Sequence, residues 1–179
     1  MRVRKLAGAV PCLAAAAALW LLAAAPVPRK APAFAYVDAA GREVQLSSFK
    51  GKVVVVELLL IRCPHCWRLA QTIAKLHQEL GARGLQPISI AFDNDASGPL
   101  VRDFAANAKI GYPVGYTTAD KVDGFLGREA KERFQVPQLV VIDRAGVIRA
   151  QSSPTGEVKL EDEASLRRLL DGLLREAAP

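Results

Sequence analysis

The sequence predicts an α/β sandwich around a mixed sheet, and three observations predict it. Residues 53–60 (Val-Val-Val-Val-Glu-Leu-Leu-Leu) and 87–92 (Pro-Ile-Ser-Ile-Ala-Phe) are apolar runs of strand length, a pattern that suits strands covered on both faces. Helical apolar spacing lies between them and again after the second run. A hairpin pattern and an amphipathic helix then close the chain.

The first thirty or so of the 179 residues do not read as folded protein. Arg2, Arg4 and Lys5 form a basic start, and residues 6–25 carry no charge. A stretch of about 20 apolar residues drives export and is also long enough to span a bilayer, so residues 1–33 are expected to be a signal peptide or an N-terminal membrane anchor plus a short linker. The small residues Ala23, Ala24 and Ala25 favour cleavage, whereas Pro26 directly after them opposes it. Both readings stay open, and in each the basic start remains inside. Cys12 lies early in the apolar segment, where it is an inert apolar residue and no lipid-attachment site.

Residues 34–179 are the size of one domain with one core. Phe34–Val37 and Glu43–Leu46 read as a small hairpin around Ala39, Ala40 and Gly41. Gly51 and Lys52 open the first buried strand. The helix after it carries Leu69, Ile73, Leu76 and Leu80 on one face and stops at Gly81. The second buried strand follows, and Ser97, Gly98 and Pro99 start a helix to about Ala108. Residues 112–114 read as a short edge strand, and 123–134 as a helix ending before Val136 and Pro137. Residues 138–143 and 147–151 flank Arg144, Ala145 and Gly146 as a second hairpin. Leu166, Leu169, Leu170, Leu173 and Leu174 mark the last helix.

Removing Arg2, Arg4, Lys5, Arg29 and Lys30 lowers the net charge from +6 to +1, so no basic stripe remains in the domain to bind nucleic acid.

Chemistry is expected at the first strand-to-helix turn, where Cys63, Pro64, His65 and Cys66 stand. Such a pair is a metal clamp, a structural staple or a disulfide reagent. A staple closing so small a loop restricts the unfolded chain little. A metal needs further ligands, and the only other histidine, His77, lies eleven residues past Cys66, about 16 Å along a helix. The redox reading is physically the fullest. At a helix start, free N–H groups and the dipole stabilise a thiolate on Cys63. Pro64 suits the first turn, and His65 supplies a positive charge or a hydrogen bond beside the sulfur. Cys63 is then the attacking thiol and Cys66 the resolving one. No cofactor is needed beyond the Cys63–Cys66 disulfide.

Three stretches carry a family resemblance: "GKVVVVELLLIRCPHC", "FQVPQLVVIDRAGVIRAQSSP" and the insertion "AFDNDASGPLVRDFAANAKIGYPVGY". From Phe34 onward the chain resembles the thioredoxin superfamily, in particular its exported, often membrane-anchored, TlpA/ResA-like branch, akin to the redoxins. The resemblance implies a three-layer α/β/α sandwich with an N-terminal β-hairpin and a central αβ insertion. It also implies a periplasmic or otherwise extracytoplasmic thiol–disulfide oxidoreductase acting as a monomer. Its partners would be exported protein thiols or disulfides and an upstream redox donor or acceptor, with the membrane reached through an uncleaved N-terminal segment.

Residue by residue, Cys63 and Cys66 match the active-site pair. Pro137 matches the superfamily's cis-proline, although its local pattern alone fits a trans proline opening an edge strand. Val136 and Pro137 would pair with an extended substrate segment. Glu57 matches a buried acid beneath the resolving cysteine, able to take its proton; a surface-paired glutamate is the plainer reading. The sequence also departs from the family, because residues 58–62 replace the usual aromatic flank and Trp67 follows the motif as a further substrate contact. Arg62 is either a thiolate partner or a solvated arginine. A dithiol oxidant and a dithiol reductant, for example of apocytochrome c, are both compatible with these residues. Two other functions compete: a peroxiredoxin-like peroxidase, opposed by Leu60 where such sites carry threonine, and a copper-delivery module, which lacks a third ligand.

Overall fold

A computed structural model describes residues 26–128, 135–152 and 159–177. The apolar segment 6–25 lies outside these residues, and no helix among the described ones is long and apolar enough to cross a membrane. Among the described residues, eight strands form one mixed sheet: β1 (Arg29–Lys30), β2 (Ala35–Asp38), β3 (Glu43–Gln45), β4 (Val53–Leu59), β5 (Leu85–Ala91), β6 (Val114–Tyr116), β7 (Gln138–Ile142) and β8 (Val147–Gln151). Their order is β1-β8-β7-β4-β5-β6-β2-β3. The helices are α1 (Pro64–Leu80), α2 (Gly98–Ala108), α3 (Ala119–Leu126) and α4 (Glu163–Arg175).

The two apolar runs become the centre of the sheet. β4 and β5 pair in parallel from Val53↔Leu85 to Leu59↔Ala91, and β7 pairs antiparallel on the other side of β4. Strand alternation then sorts the side chains. Val53 and Val55 pack with Leu69, Ile73 and Leu76 of α1 and with Leu166, Leu170 and Leu173 of α4. Val54, Val56 and Leu58 face the opposite layer, where Phe34, Tyr36 and the α3 residues Val122, Phe125 and Leu126 cover them. A third cluster joins Leu59, Cys66 and Ala70 to Val101 and Phe104 of α2. Leu170 of α4 is fully buried in the cluster that α4 and α1 form on this face of the sheet, so Leu170→Ala is expected to cost about 3 kcal/mol in denaturant unfolding.

Three expectations change. The edge strand expected at 112–114 forms instead at Val114–Tyr116 and is internal, because the β2–β3 hairpin returns to pair with its free side. The helix expected at 123–134 starts earlier, at Ala119, and stops at Leu126, where Gly127 adopts a left-handed conformation (φ 67°) that ends the turn; residues 129–134 lie outside the described residues. Within the expected linker, Arg29 and Lys30 add an outer strand against β8.

Candidate active site

The turn between β4 and α1 is built by its own backbone and braced from β5. Cys63 N–H donates to the Leu60 carbonyl (3.0 Å), and Asp93, just beyond β5, accepts from Ile61 N–H (2.9 Å). Trp67 Nε1 donates to the Ile61 carbonyl at 2.6 Å, while its ring stands edge-on to Phe104. Trp67 therefore holds the turn as well as lining, with Ile61, Arg62 and Pro64, a shallow depression of about 490 Å³ beside the cysteines. Asp93 was not singled out from the sequence, and its only signal was an acid directly after a buried strand.

Cys63 is the residue that caps α1. Its backbone is extended (φ −85°, ψ 116°), Pro64 follows at the first helical position, and Cys66 N–H donates to Cys63 Sγ at 3.5 Å. One helical turn on, Cys66 is fully buried, whereas Cys63 is half-buried. Both are free thiols. Burial pushes the Cys66 thiol far up from its ordinary value, helped by its hydrogen bond with Cys63 and, to a smaller extent, by the charges of Cys63 and Glu57.

The Val136–Pro137 peptide is cis, as the resemblance implies, and the Val136 carbonyl lies 4.0 Å from Cys63 Sγ across 73 residues of sequence. Val136 is partly exposed and Pro137 buried, so the loop presents backbone, not the proline ring, to the sulfur.

Glu57 shares the sheet face of Val53 and Val55, which puts it beneath α1 and not at a strand edge. It is fully buried, and the desolvation raises its pKa to about 8, against a smaller lowering by the Ser89 hydrogen bond. Ser89 Oγ donates to Glu57 Oε2 at 2.5 Å, while Oε1 has no hydrogen-bond partner. Ser89 and its neighbour Tyr112 were invisible in the sequence as site residues.

His65 and Arg62 face outward. Arg68 Nη2 donates to His65 Nδ1 at 2.9 Å, so that nitrogen of the ring serves the arginine and not a sulfur. Arg62 is held in a two-point contact with Asp95, at 2.8 and 3.3 Å, which raises its pKa and commits its charge to the rim of the site. His77 stands edge-on to Tyr112, and among the described residues no group of three His, Cys, Asp or Glu side chains could hold a metal ion.

What this arrangement can do is exchange disulfides: an accessible sulfur at a helix cap, a second one a turn below, a sealed acid whose charge acts on the second, and open backbone beside the first. Solved structures share the fold. A candidate protein disulfide isomerase from Bacteroides thetaiotaomicron is 27% identical, covering 87% of this chain and 94% of that one, with a TM-score of 0.70. A thioredoxin-family thiol:disulfide interchange protein from Chlorobium tepidum is 24% identical (84% and 99% covered, TM-score 0.66). A candidate thiol:disulfide interchange protein DsbE, also from Chlorobium tepidum, is 22% identical (82% and 96% covered, TM-score 0.67). Residues 27–151 match the AhpC/TSA family, and the chain belongs to that family as a redoxin-like oxidoreductase of the thioredoxin superfamily.

Proposed function

We propose that this protein exchanges disulfides with exported proteins outside the cytoplasm, with Cys63 as the attacking thiol, Cys66 as the resolving thiol and Glu57 as the acceptor of the Cys66 proton. One observation carries the reading: the pair occupies a single helical turn with one sulfur open beside the Val136 carbonyl and the other sealed. An incoming disulfide reaches Cys63 alone. The Cys63 thiolate attacks it, a mixed disulfide forms, and Cys66 then displaces the partner to leave the Cys63–Cys66 bond. Val136 and Pro137 hold the partner's backbone beside the sulfur, and Trp67 with Ile61 and Pro64 supplies the apolar floor next to it. The export segment at residues 6–25 and the resemblance to the membrane-anchored branch support the location.

Trapping tests the order of attack. Reduced Cys66→Ser incubated with a disulfide-bonded substrate is expected to accumulate a mixed disulfide on Cys63, visible on a non-reducing gel. Cys63→Ser is expected to accumulate none. The reverse pattern overturns the assignment. The potential of the couple then fixes the direction: about −270 mV marks a reductant of the kind needed for apocytochrome c thiols, and about −120 mV a disulfide-forming oxidant.

The AhpC/TSA match favours one second reading, a thiol peroxidase. Leu60 stands three residues before Cys63 and brings no hydroxyl to position a peroxide. Rapid peroxide turnover by substoichiometric protein would restore it.

A further inference from the structure

Glu57 Oε2, Ser89 Oγ, the Tyr112 hydroxyl and the Ala70 carbonyl stand in one buried row. The successive separations are 2.5, 3.0 and 3.3 Å. Glu57, Ser89 and Tyr112 are 0%, 1% and 6% exposed, so these groups must satisfy one another. Ser89 and Tyr112 bring one hydroxyl hydrogen each, and the row has three links. Ser89 donates to the carboxyl, which leaves the Tyr112 hydroxyl to choose between Ser89 and Ala70.

The choice depends on Glu57. When the carboxyl is ionised, it draws in the Ser89 hydrogen and makes the Ser89 oxygen a better acceptor, so Tyr112 turns to Ser89 and strengthens the chain. When Glu57 holds a proton on Oε1, that pull weakens and Tyr112 donates to Ala70. Ala70 lies four residues after Cys66 in α1, on the next turn of the same helix. Oε1 itself is buried and has no hydrogen-bond partner.

We propose that Ser89 and Tyr112 are positioning residues of the exchange reaction: they hold Glu57 by Oε2, favour its carboxylate, and leave Oε1 as the seat for the Cys66 proton. The inference rests on Glu57 being the proton acceptor and deepens that reading. In the resolving step the Cys66 S–H bond breaks and its proton passes to Glu57 Oε1. The Cys66 thiolate attacks Cys63 Sγ of the mixed disulfide and forms the Cys63–Cys66 bond. The partner leaves with the electron pair of the broken S–S bond as a thiolate, which water protonates. The protein dithiol is thereby oxidised by two electrons, and the partner disulfide is reduced to two thiols.

The surroundings of Glu57 add few competing charges. Cys66 of α1 is near enough to feel the Glu57 charge, and His77 of the same helix touches the row at the ring of Tyr112. Leu139 of β7 is its antiparallel neighbour, and α4 contributes leucines to the cluster that holds Tyr112.

The test is the pH profile of mixed-disulfide resolution by the full chain, read with a model disulfide peptide. Ser89→Ala removes the one donor to the carboxyl and is expected to slow resolution about tenfold at pH 7 and to move the inflection up by about one pH unit, with the rate recovering at high pH. Tyr112→Phe is expected to move it in the same direction by a smaller amount, and Ser89→Thr, which keeps the hydroxyl, to keep the wild-type inflection. Should Ser89→Ala fold poorly, titration of the Glu57 carboxyl by carbon NMR in Tyr112→Phe is expected to show the smaller upward shift directly. Rates lowered equally at every pH, or profiles that superimpose on the wild type, overturn the proposal. A Glu57→Gln variant that keeps the wild-type inflection overturns instead the role of Glu57 on which it stands.

Discussion

Glu57→Gln is expected to make the reduced protein more stable at alkaline pH while slowing its disulfide exchange. The stability effect follows from linkage. Burial raises the Glu57 pKa from 4.5 to about 8 in the folded chain. Between those values the folded state holds a proton that the unfolded state has lost. Stability therefore falls as pH rises through that window, and above it the folded protein carries a buried charge on Glu57. The interval of about 3.5 pH units corresponds to at most ~5 kcal/mol, and relaxation around the charge brings the expected loss to about 2–4 kcal/mol. Glutamine keeps the shape and accepts the Ser89 hydrogen bond but does not titrate. Urea unfolding at pH 6 and pH 9 is expected to show the share of that loss that falls above pH 6, about 2 kcal/mol, in the wild type and not in the variant. Parallel pH dependences in the two proteins would remove Glu57 as a sealed acid. The kinetic cost is that of losing a general base, roughly 10²-fold or more in the resolving step. A group that destabilises the fold and accelerates the reaction is the signature of a functional residue.

How much of this was legible beforehand depends on the range of the interaction concerned. The strands β4 and β5 announce themselves as apolar runs, and Glu57 is conspicuous as the one acid inside the first. The cap at Cys63 and Pro64 is local chemistry, readable from a few residues. Ser89 and Tyr112 were not readable as partners of Glu57, because their meeting depends on the register of β4 against β5 and on the approach to β6. No periodicity within one segment encodes a register between two. The same holds for Val136, whose position beside Cys63 was reached only through the family resemblance and is closed by a contact spanning 73 residues. Helix α3 starts earlier than expected for a different reason. The start after Thr118 lacks an apolar stripe to announce it, whereas the left-handed stop at Gly127 was a local signal.

The internal place of β6 yields the last large effect. β6 has three residues, and its middle one, Gly115, pairs with Ile90 of β5 on one side and Asp38 of β2 on the other. A Cβ built there would fall 2.5 Å from the Val37 carbonyl oxygen and would clash with the ring edge of Tyr36, which is itself 1% exposed. The glycine is required by space and not by backbone conformation, since a carbonyl in a sheet ladder cannot step aside as a flexible side chain does. Gly115→Val is therefore expected to destabilise the protein by more than about 4 kcal/mol, through separation of the β2–β3 hairpin from β6. Gly111, four residues earlier, has nothing within 4 Å of an added Cβ, and Gly111→Ala is expected to stay within about 1 kcal/mol of the wild type. Tyr36→Leu combined with Gly115→Ala separates the two obstacles: relief of part of the loss assigns it to the ring, and the remainder to the Val37 carbonyl. Equal denaturation midpoints for Gly111→Ala and Gly115→Val would mean that β6 does not lie between β5 and the hairpin. Such a result would return residues 112–114 to the edge strand that their sequence alone implied, with the hairpin placed elsewhere.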